Sequence, residues 1–319
     1  MIRLRRWLSE ELDLPPYRIA PASSDASFRR YFRVTWEGHS RIVMDAPPDK
    51  EDVRPFLEIS RLLESLGVHV PEVLEQDIGN GFLLLSDFGS QQYLDQLNDS
   101  IAGRLYGDAL QSLIRMQLCP EERLRRLPPY DAPLLQTEME LFRDWYLLRL
   151  QGVTLDDVRL EQLERAFRFL IRNALEQPVV LVHRDYHSRN LMVTDPNPGV
   201  LDFQDAVAGP VTYDLVSLLR DCYLRWPERR VLEWVECYRG SATDAGILRG
   251  VGREQLLRWF DLMGVQRHLK AVGIFARLHL RDGKSGYLGD IPRTLDYLRA
   301  VCPRYPELAG VTAVLKEVA

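Results

Sequence analysis

The sequence predicts an α+β fold in two lobes, a small sheet-rich N-terminal lobe and a larger helical C-terminal lobe. Two observations carry this. Over the first ninety or so residues, short alternating or apolar runs are separated by turn signals, with one helical stretch among them. Beyond Gln91 helical spacing takes over, interrupted once by short apolar strands flanking a dense polar cluster at 183–205. The lobes are expected at 1–90 and 91–319, with a cleft between them.

Each element follows from local pattern. MIRLRRWLSEELDL reads as a short amphipathic helix with Ile2, Leu4, Leu8 and Leu12 turned inward. SFRRYFRVT (27–35) and RIVM (41–44) alternate aromatic and β-branched residues around a Trp-Glu-Gly-His turn, a β-hairpin pattern stopped by Pro47 and Pro48. Residues 52–66 place Phe56, Ile59, Leu62, Leu63 and Leu66 on one helical face, closed by Gly67. VPEVLEQ and GFLLLSDFG are two further strands. Segments 100–118, 134–151 and 156–176 are helical by period; PVVLVHRD, NLMV and PGVLDF are short strands; from Thr212 onward the chain is mostly helix.

Composition excludes several classes. Hydrophobic residues make up 46% and charged residues 27% of the 319, an ordinary globular mix. A net charge of −5 offers no electrostatic reason to expect nucleic acid or an anionic membrane as partner. No apolar run approaches the ~20 residues of a bilayer span. Ser9, Glu10, Glu11 and Asp13 interrupt the N-terminal segment before the apolar core of a signal peptide could develop. The four cysteines (119, 222, 237 and 302) form no CxxC pair, which fits free thiols in a reducing compartment. The expectation is a cytoplasmic monomer.

The chemistry concentrates in His183-Arg184-Asp185-Tyr186-His187-Ser188-Arg189-Asn190, followed after a short hairpin by Asp202 in Val200-Leu201-Asp202-Phe203-Gln204-Asp205. Phosphoryl transfer from ATP needs one carboxylate to accept the proton of the attacking hydroxyl, and hard oxygen donors to hold Mg²⁺ against the phosphates. Asp185 fits the first role, and Asn190 and Asp202 the second. Asp214 reads as a helix-start carboxylate tying loops together. His187 is equally compatible with a solvated loop and with substrate contact.

The pattern H-x-D-x-x-x-x-N, then a hairpin and an apolar-flanked Asp, resembles the catalytic and metal-binding loops of the protein-kinase-like fold. LDFQDAVAGPVTYDLVSLL is more similar to the aminoglycoside phosphotransferase and choline kinase branch of that fold than to protein kinases, where a Phe-Gly pair follows the metal-binding Asp. Within the branch, MDAPPDKED, LSDFG, HRDYHSRNLM and LDFQDAVAGPVTYDLVSLLRDCY resemble the amino-sugar kinases of bacterial cell-wall recycling, which act on the anomeric hydroxyl of N-acetylmuramate and N-acetylglucosamine. The resemblance implies a bilobal kinase using ATP and Mg²⁺ to make a sugar 1-phosphate.

It also implies a nucleotide site. Ser23, Ser24 and Ser27 would line the phosphate loop, although a polar turn explains SSDAS equally well. Leu85 to Asp87 would present backbone groups to adenine. Asp87-Phe88-Gly89 spells the protein-kinase metal motif, but it precedes the HxD loop, so Asp87 is not expected to bind metal. The family's third-strand lysine is missing: Met44 and Asp45 stand near its place. Arg41, or Arg30 or Arg33 from the neighbouring strand, is the candidate substitute, with Glu58 as the helix carboxylate. Sugar contacts are expected from Asp205, His187, Arg220, Asp221 and Tyr223, although Arg220-Asp221 could equally be a surface ion pair. Arginines after 212 (Arg220, Arg225, Arg229, Arg230) favour a neutral or anionic sugar over a cationic antibiotic. A kinase for another substrate (an aminoglycoside, a choline-like amine or homoserine) and a non-catalytic kinase-like binding module are the alternatives.

Overall fold

The computed structural model describes residues 1–24 and 28–318. Its chain divides into two compact units: Met1–Gln92 with Leu191–Asp205, and Tyr93–Asn190 with Ala206–Ala319. Segment 191–205, expected within the second lobe, therefore packs with the first.

The first unit is built on a five-stranded antiparallel sheet of β1 (Arg18–Ser24), β2 (Arg30–Trp36), β3 (His39–Asp45), β4 (Val73–Asp77) and β5 (Phe82–Ser86), in the order β1-β2-β3-β5-β4. The β2–β3 turn takes Glu37 and Gly38 into the left-handed region (φ 43° and 80°), the backbone that a two-residue hairpin needs to match strand twist. β1 was not legible in the sequence. It pairs Ser24 with Arg30 and Ser23 with Tyr31, so the backbone of these two serines ends a strand rather than beginning a loop. Ser27 lies outside the described residues, as do the side chains of Ser23 and Ser24.

Directly paired residues share a face, so the β2–β3 register sorts the side chains. Phe32, Val34 and Val43 join Phe82 and Leu84 beneath Leu4, Trp7 and Leu8 of the N-terminal helix α1 (Ile2–Arg6) and the wider π-helical turn Trp7–Glu11. Leu4 and Leu8 are buried as expected and Leu12 packs at the edge, but Ile2 is 88% exposed: the first turn overhangs the sheet. The opposite face carries Arg33, Ile42, Met44 and Leu85. Gly81, before β5, has φ 73°, and a Cβ there would lie 1.8 Å from the Ala46 carbonyl oxygen. Only glycine lets the β4–β5 turn approach the end of β3 so closely.

Helix α2 (Arg54–Ser65) buries Phe56, Leu57, Ile59, Leu62 and Leu63; the Phe56 ring lies 4.8 Å from that of Phe203. Strands β7 (Leu191–Met192) and β8 (Gly199–Val200) form a short hairpin pairing Leu191 with Val200, so the chain enters and leaves it at one end.

The second unit is helical around one small ladder, β6 (Val179–Val182) paired with β9 (Val207–Pro210). In chain order its helices are α3 (Tyr93–Gln96), α4 (Ala102–Gln117), α5 (Glu121–Leu124), α6 (Ala132–Leu141), α7 (Asp157–Leu175), α8 (Tyr213–Leu219), α9 (Glu228–Asp244), α10 (Arg253–Asp282), α11 (Ile291–Val301) and α12 (Ala309–Glu317). α6 runs on in a π-helical turn, Phe142–Leu150. α10 is the axis: Leu262, Val265, Leu269, Val272, Phe275 and Ala276 meet α6, α7, α11 and α12 in the core. It also buries Asp261, Gln266, Arg267, His268 and Lys270. Buried charge must be paired, so a helix this polar inside marks a network.

Candidate active site

In the second unit, segment 183–190 leaves β6 and is pinned by Asp214 of α8. The two Asp214 carboxylate oxygens accept from the backbone N–H of His183 (2.6 Å) and of Arg184 (3.0 Å). Burial pushes the Asp214 carboxyl up to about 6. Arg184 holds φ 78°, a strained backbone that persists only where surroundings over-determine it. Around Asp185, the Nδ1 of His183 accepts the Asp185 N–H (3.2 Å), and the Asn190 amide Nδ2 donates to the Asp185 carbonyl (3.0 Å). The Asp185 main chain is thus held at both ends of its residue.

Burial alone would raise the Asp185 carboxyl. Lys270, His187, Arg267 and His183 outweigh it and hold the group down at about 2. Lys270 and Arg267 sit one turn apart on α10. The Lys270 Nζ donates to the Tyr213 hydroxyl (2.9 Å) and pairs with Glu138 of α6 (3.0 Å). Glu138 also accepts from Arg184 (2.7 Å), Gln266 (3.2 Å) and the Tyr130 hydroxyl. One buried carboxylate therefore ties the buried Lys270 of α10 to the half-buried Arg184 of the loop carrying Asp185.

A pH dependence follows. Asp185 is depressed from 3.8 to about 2, so the stability its ionisation contributes is present above about pH 4 and lost as pH falls toward 2. Removing a cation leaves burial less opposed and raises the carboxyl. Lys270→Met is expected to raise the Asp185 carboxyl by roughly one pH unit, read from the profile of stability against pH between about pH 2 and 5. A profile superimposable on the wild type would remove Lys270 from this role.

The remaining candidates in this unit separate clearly. His187 is only 8% exposed, so it is not a solvated loop residue; its ring meets Tyr223 edge-on at 5.2 Å, and its buried Nδ1 has no hydrogen-bond partner among the described residues. The Arg189 guanidinium lies 3.7 Å over the Tyr223 ring. Asp221 is buried and accepts from the Ser188 N–H (3.0 Å) and hydroxyl (2.5 Å), so it supports the loop from below. Arg220 is neither a surface ion pair nor placed for substrate. It is 1% exposed and paired with Glu228 and Asp261, both at 2.8 Å, because α8 ends inside the helical core.

In the first unit, Asp202 has φ 62°, again a strained backbone on a functional candidate. Its Oδ1 accepts from the Gln204 amide (2.8 Å), and the Arg29 guanidinium approaches the same oxygen at 3.4 Å. Gln204 also reaches the exposed Asp205 (3.2 Å), while its own Oε1 is buried without a partner among the described residues. Asp87 is occupied: Arg33 grips it at 2.6 and 3.0 Å, the Gly89 N–H donates at 2.9 Å and the Ser40 hydroxyl joins them. Burial would raise its carboxyl, but these donors, Arg33 first, hold it below the ordinary range. Its side chain is spent on structure. Leu85 is buried within β5, paired with Ile42 and Val73.

The expected cation on β3 is not formed. Arg41 and Arg30 stand on the face covered by α1, where Arg41 donates to the Ser40 carbonyl (2.7 Å) and Arg30 pairs with Asp45 (2.5 Å). Glu58 is exposed on α2. The strand's period of two decides this: Arg41 shares its face with the buried Val43, opposite Met44.

A family model described as the phosphotransferase enzyme family matches residues 18–254. The chain belongs to the phosphotransferase enzyme family. This phosphotransferase is 53% identical over 305 residues to an N-acetylmuramate/N-acetylglucosamine kinase of Pseudomonas aeruginosa, covering 95% of this chain and 89% of that one. It is 48% identical to a protein of the same name from Pseudomonas putida, covering 99% and 96%. The ADP-bound crystal structure of an aminoglycoside phosphotransferase matches with a TM-score of 0.60 at 16% identity, over 92% of this chain and 97% of that one. The fold is the aminoglycoside phosphotransferase fold, as the motifs implied. No helix among the described residues is long and apolar enough to cross a membrane.

The donor set of this phosphotransferase suits magnesium. Among the described residues no three His, Cys, Asp or Glu side chains assemble into a metal cage. Mg²⁺ does not need one: it binds through one or two carboxylates and completes its shell with water and phosphate oxygens. In the first unit the Asp202 carboxylate and the orphan Gln204 Oε1 are hard oxygen donors of that kind.

Sequence reading missed Arg29, Glu138, Arg267 and Lys270. The last two had a signal, charges inside an apolar stretch of helix, but nothing local named their partners.

Proposed function

We propose that this phosphotransferase is an ATP-dependent kinase transferring phosphate to the anomeric C1 hydroxyl of an amino sugar, with N-acetylmuramate and N-acetylglucosamine as substrates and a sugar 1-phosphate as product. The observation that carries the chemistry is a carboxylate at Asp185, clamped by its loop and held ionised by buried cations. The names of relatives 48% and 53% identical over nearly the whole chain support the substrate class.

In this reading Asp185 orients the attacking hydroxyl and accepts its proton. An anomeric hydroxyl is more acidic than an ordinary alcohol, so a carboxylate is base enough. Asn190 precedes the first strand of the β7–β8 hairpin and Asp202 follows the second, and that register supports assigning both to one Mg²⁺. Asn190 and Asp202 would hold the ion there, and it would supply positive charge against the phosphates during transfer. Ser23 and Ser24 at the end of β1, Ser27 after them, and the segment Leu85–Asp87 are assigned to nucleotide. His187, Tyr223 and Asp205 are assigned to sugar, with Asp221 holding the loop between them. The first unit with its sheet is read as the nucleotide lobe, and the second as the catalytic and sugar lobe.

Two measurements test this. An ADP-coupled assay across N-acetylmuramate, N-acetylglucosamine, choline and kanamycin is expected to show turnover with the two sugars; silence on both would end the reading. Asp202→Ala is expected to abolish the gain in nucleotide affinity that Mg²⁺ confers, read by calorimetry with and without the ion. An undiminished gain would move the metal elsewhere.

A further inference from the structure

We infer that Arg29 is the phosphate-binding cation of this protein, and that its guanidinium pairs with the Asp202 carboxylate until a divalent cation displaces it. The inference deepens the kinase reading and rests on it.

The three arginines of β2 and β3 are accounted for by geometry. Arg30 is bound to Asp45 and Arg41 to the Ser40 carbonyl, both on the face covered by α1. Arg33 stands on the other face but is locked by two hydrogen bonds to Asp87 and a third to the Gly89 carbonyl (2.7 Å). On that face β3 presents Ser40, Ile42 and Met44, which carry no charge.

Arg29 is placed differently. It lies immediately before β2, at the end of the β1–β2 connection, and its side chain is only 10% exposed. Its Nη2 is 3.4 Å from Asp202 Oδ1, a long contact for a charge-assisted bond. A Lys or Arg in contact with a carboxylate that is itself to receive a divalent cation must give way, because two cations cannot share that oxygen. The triphosphate arriving with the metal offers the displaced guanidinium several acceptor oxygens in the fork geometry that arginine matches best. Exchange of one anion for another keeps the buried charge paired throughout, which is the condition for burying it at all.

The two halves predict effects of opposite sign, which loss of structure would not produce. ATP, ADP and adenosine binding are measured by calorimetry on the full-length protein, for wild type, Arg29→Ala, Arg29→Lys and Arg30→Ala. Arg29→Ala is expected to weaken ATP at least ~10-fold, the scale of one lost charge-assisted contact, and to leave adenosine within about twofold. Arg29→Lys is expected to recover part of the loss, and Arg30→Ala to match wild type. Binding of Mn²⁺ alone, followed by electron paramagnetic resonance, is expected to tighten in Arg29→Ala because Asp202 loses its competing cation.

ATP affinity within twofold of wild type in Arg29→Ala overturns the inference. So does an equal loss for ATP and adenosine, which would make Arg29 a support of the fold. Unchanged or weaker Mn²⁺ binding overturns the place-holder half. A wild-type protein that binds no nucleotide would sink the kinase reading itself, a different result from any of these.

Discussion

Asp185→Asn is expected to lower kcat with amino sugar by about 10³-fold, within the range that a positioned general base contributes, while ATP affinity stays near wild type. The geometry makes this a sharp test. The loop holds Asp185 through main-chain atoms, its N–H on His183 and its carbonyl on Asn190, so the amide variant keeps both bonds. What it loses is a negative charge that can take a proton. The lost charge also withdraws the stabilisation that Lys270 and Arg267 give the ionised form, so the unfolding midpoint is expected to fall modestly. A variant retaining most of the turnover would mean that transfer needs no base here, or that the base is another group. Comparing single-turnover and steady-state rates separates chemistry from product release.

Glu138→Ala is expected to cost about 3–5 kcal/mol of stability, the penalty for breaking a buried ion pair by removing one partner. The residue is 4% exposed and accepts from Arg184, Lys270, Gln266 and Tyr130. Without it, the buried Lys270 and the half-buried Arg184 lose their common counter-ion, and the backbone strained at Arg184 loses the grip on its side chain. Urea unfolding reads the loss directly; a shift under about 1 kcal/mol, the size of an exposed pair, would show that the network carries little. Glu138→Gln keeps an acceptor and removes only the charge, so it is expected to fall between the two. Burial would raise the Glu138 carboxyl, but Lys270 and Arg184 hold it below its ordinary 4.5. The stabilisation is therefore present above that value and fades as pH falls through the depressed one, so the gap between wild type and Glu138→Ala is expected to narrow in acid.

These residues differ in how they could be found. Asp185, Asn190 and Asp202 stood out because their chemistry is local: polar groups at fixed spacing between apolar strands. The β2–β3 hairpin was equally legible, since Glu37-Gly38 supplies the left-handed backbone that its turn requires. β1 was not, because Pro21 and small residues hide any alternation and the strand exists by pairing with β2. Arg29 was passed over in favour of its neighbours Arg30 and Arg33. An alternating strand pattern says which residues share a face, but not which face is covered.

By itself, then, the amino-acid order determined most of the strands and helices, the family and the loop that bears Asp185, because each depends on contacts between near neighbours. Tertiary packing alone decided which charges serve that loop. Lys270, Arg267 and Glu138 lie 47 to 85 residues from Asp185 in the chain. Arg220 looked like surface until α8 was seen to end among Glu228 and Asp261. Burying a charge requires a partner, and the identity of the partner is a property of how helices cross rather than of the order of residues along any one of them.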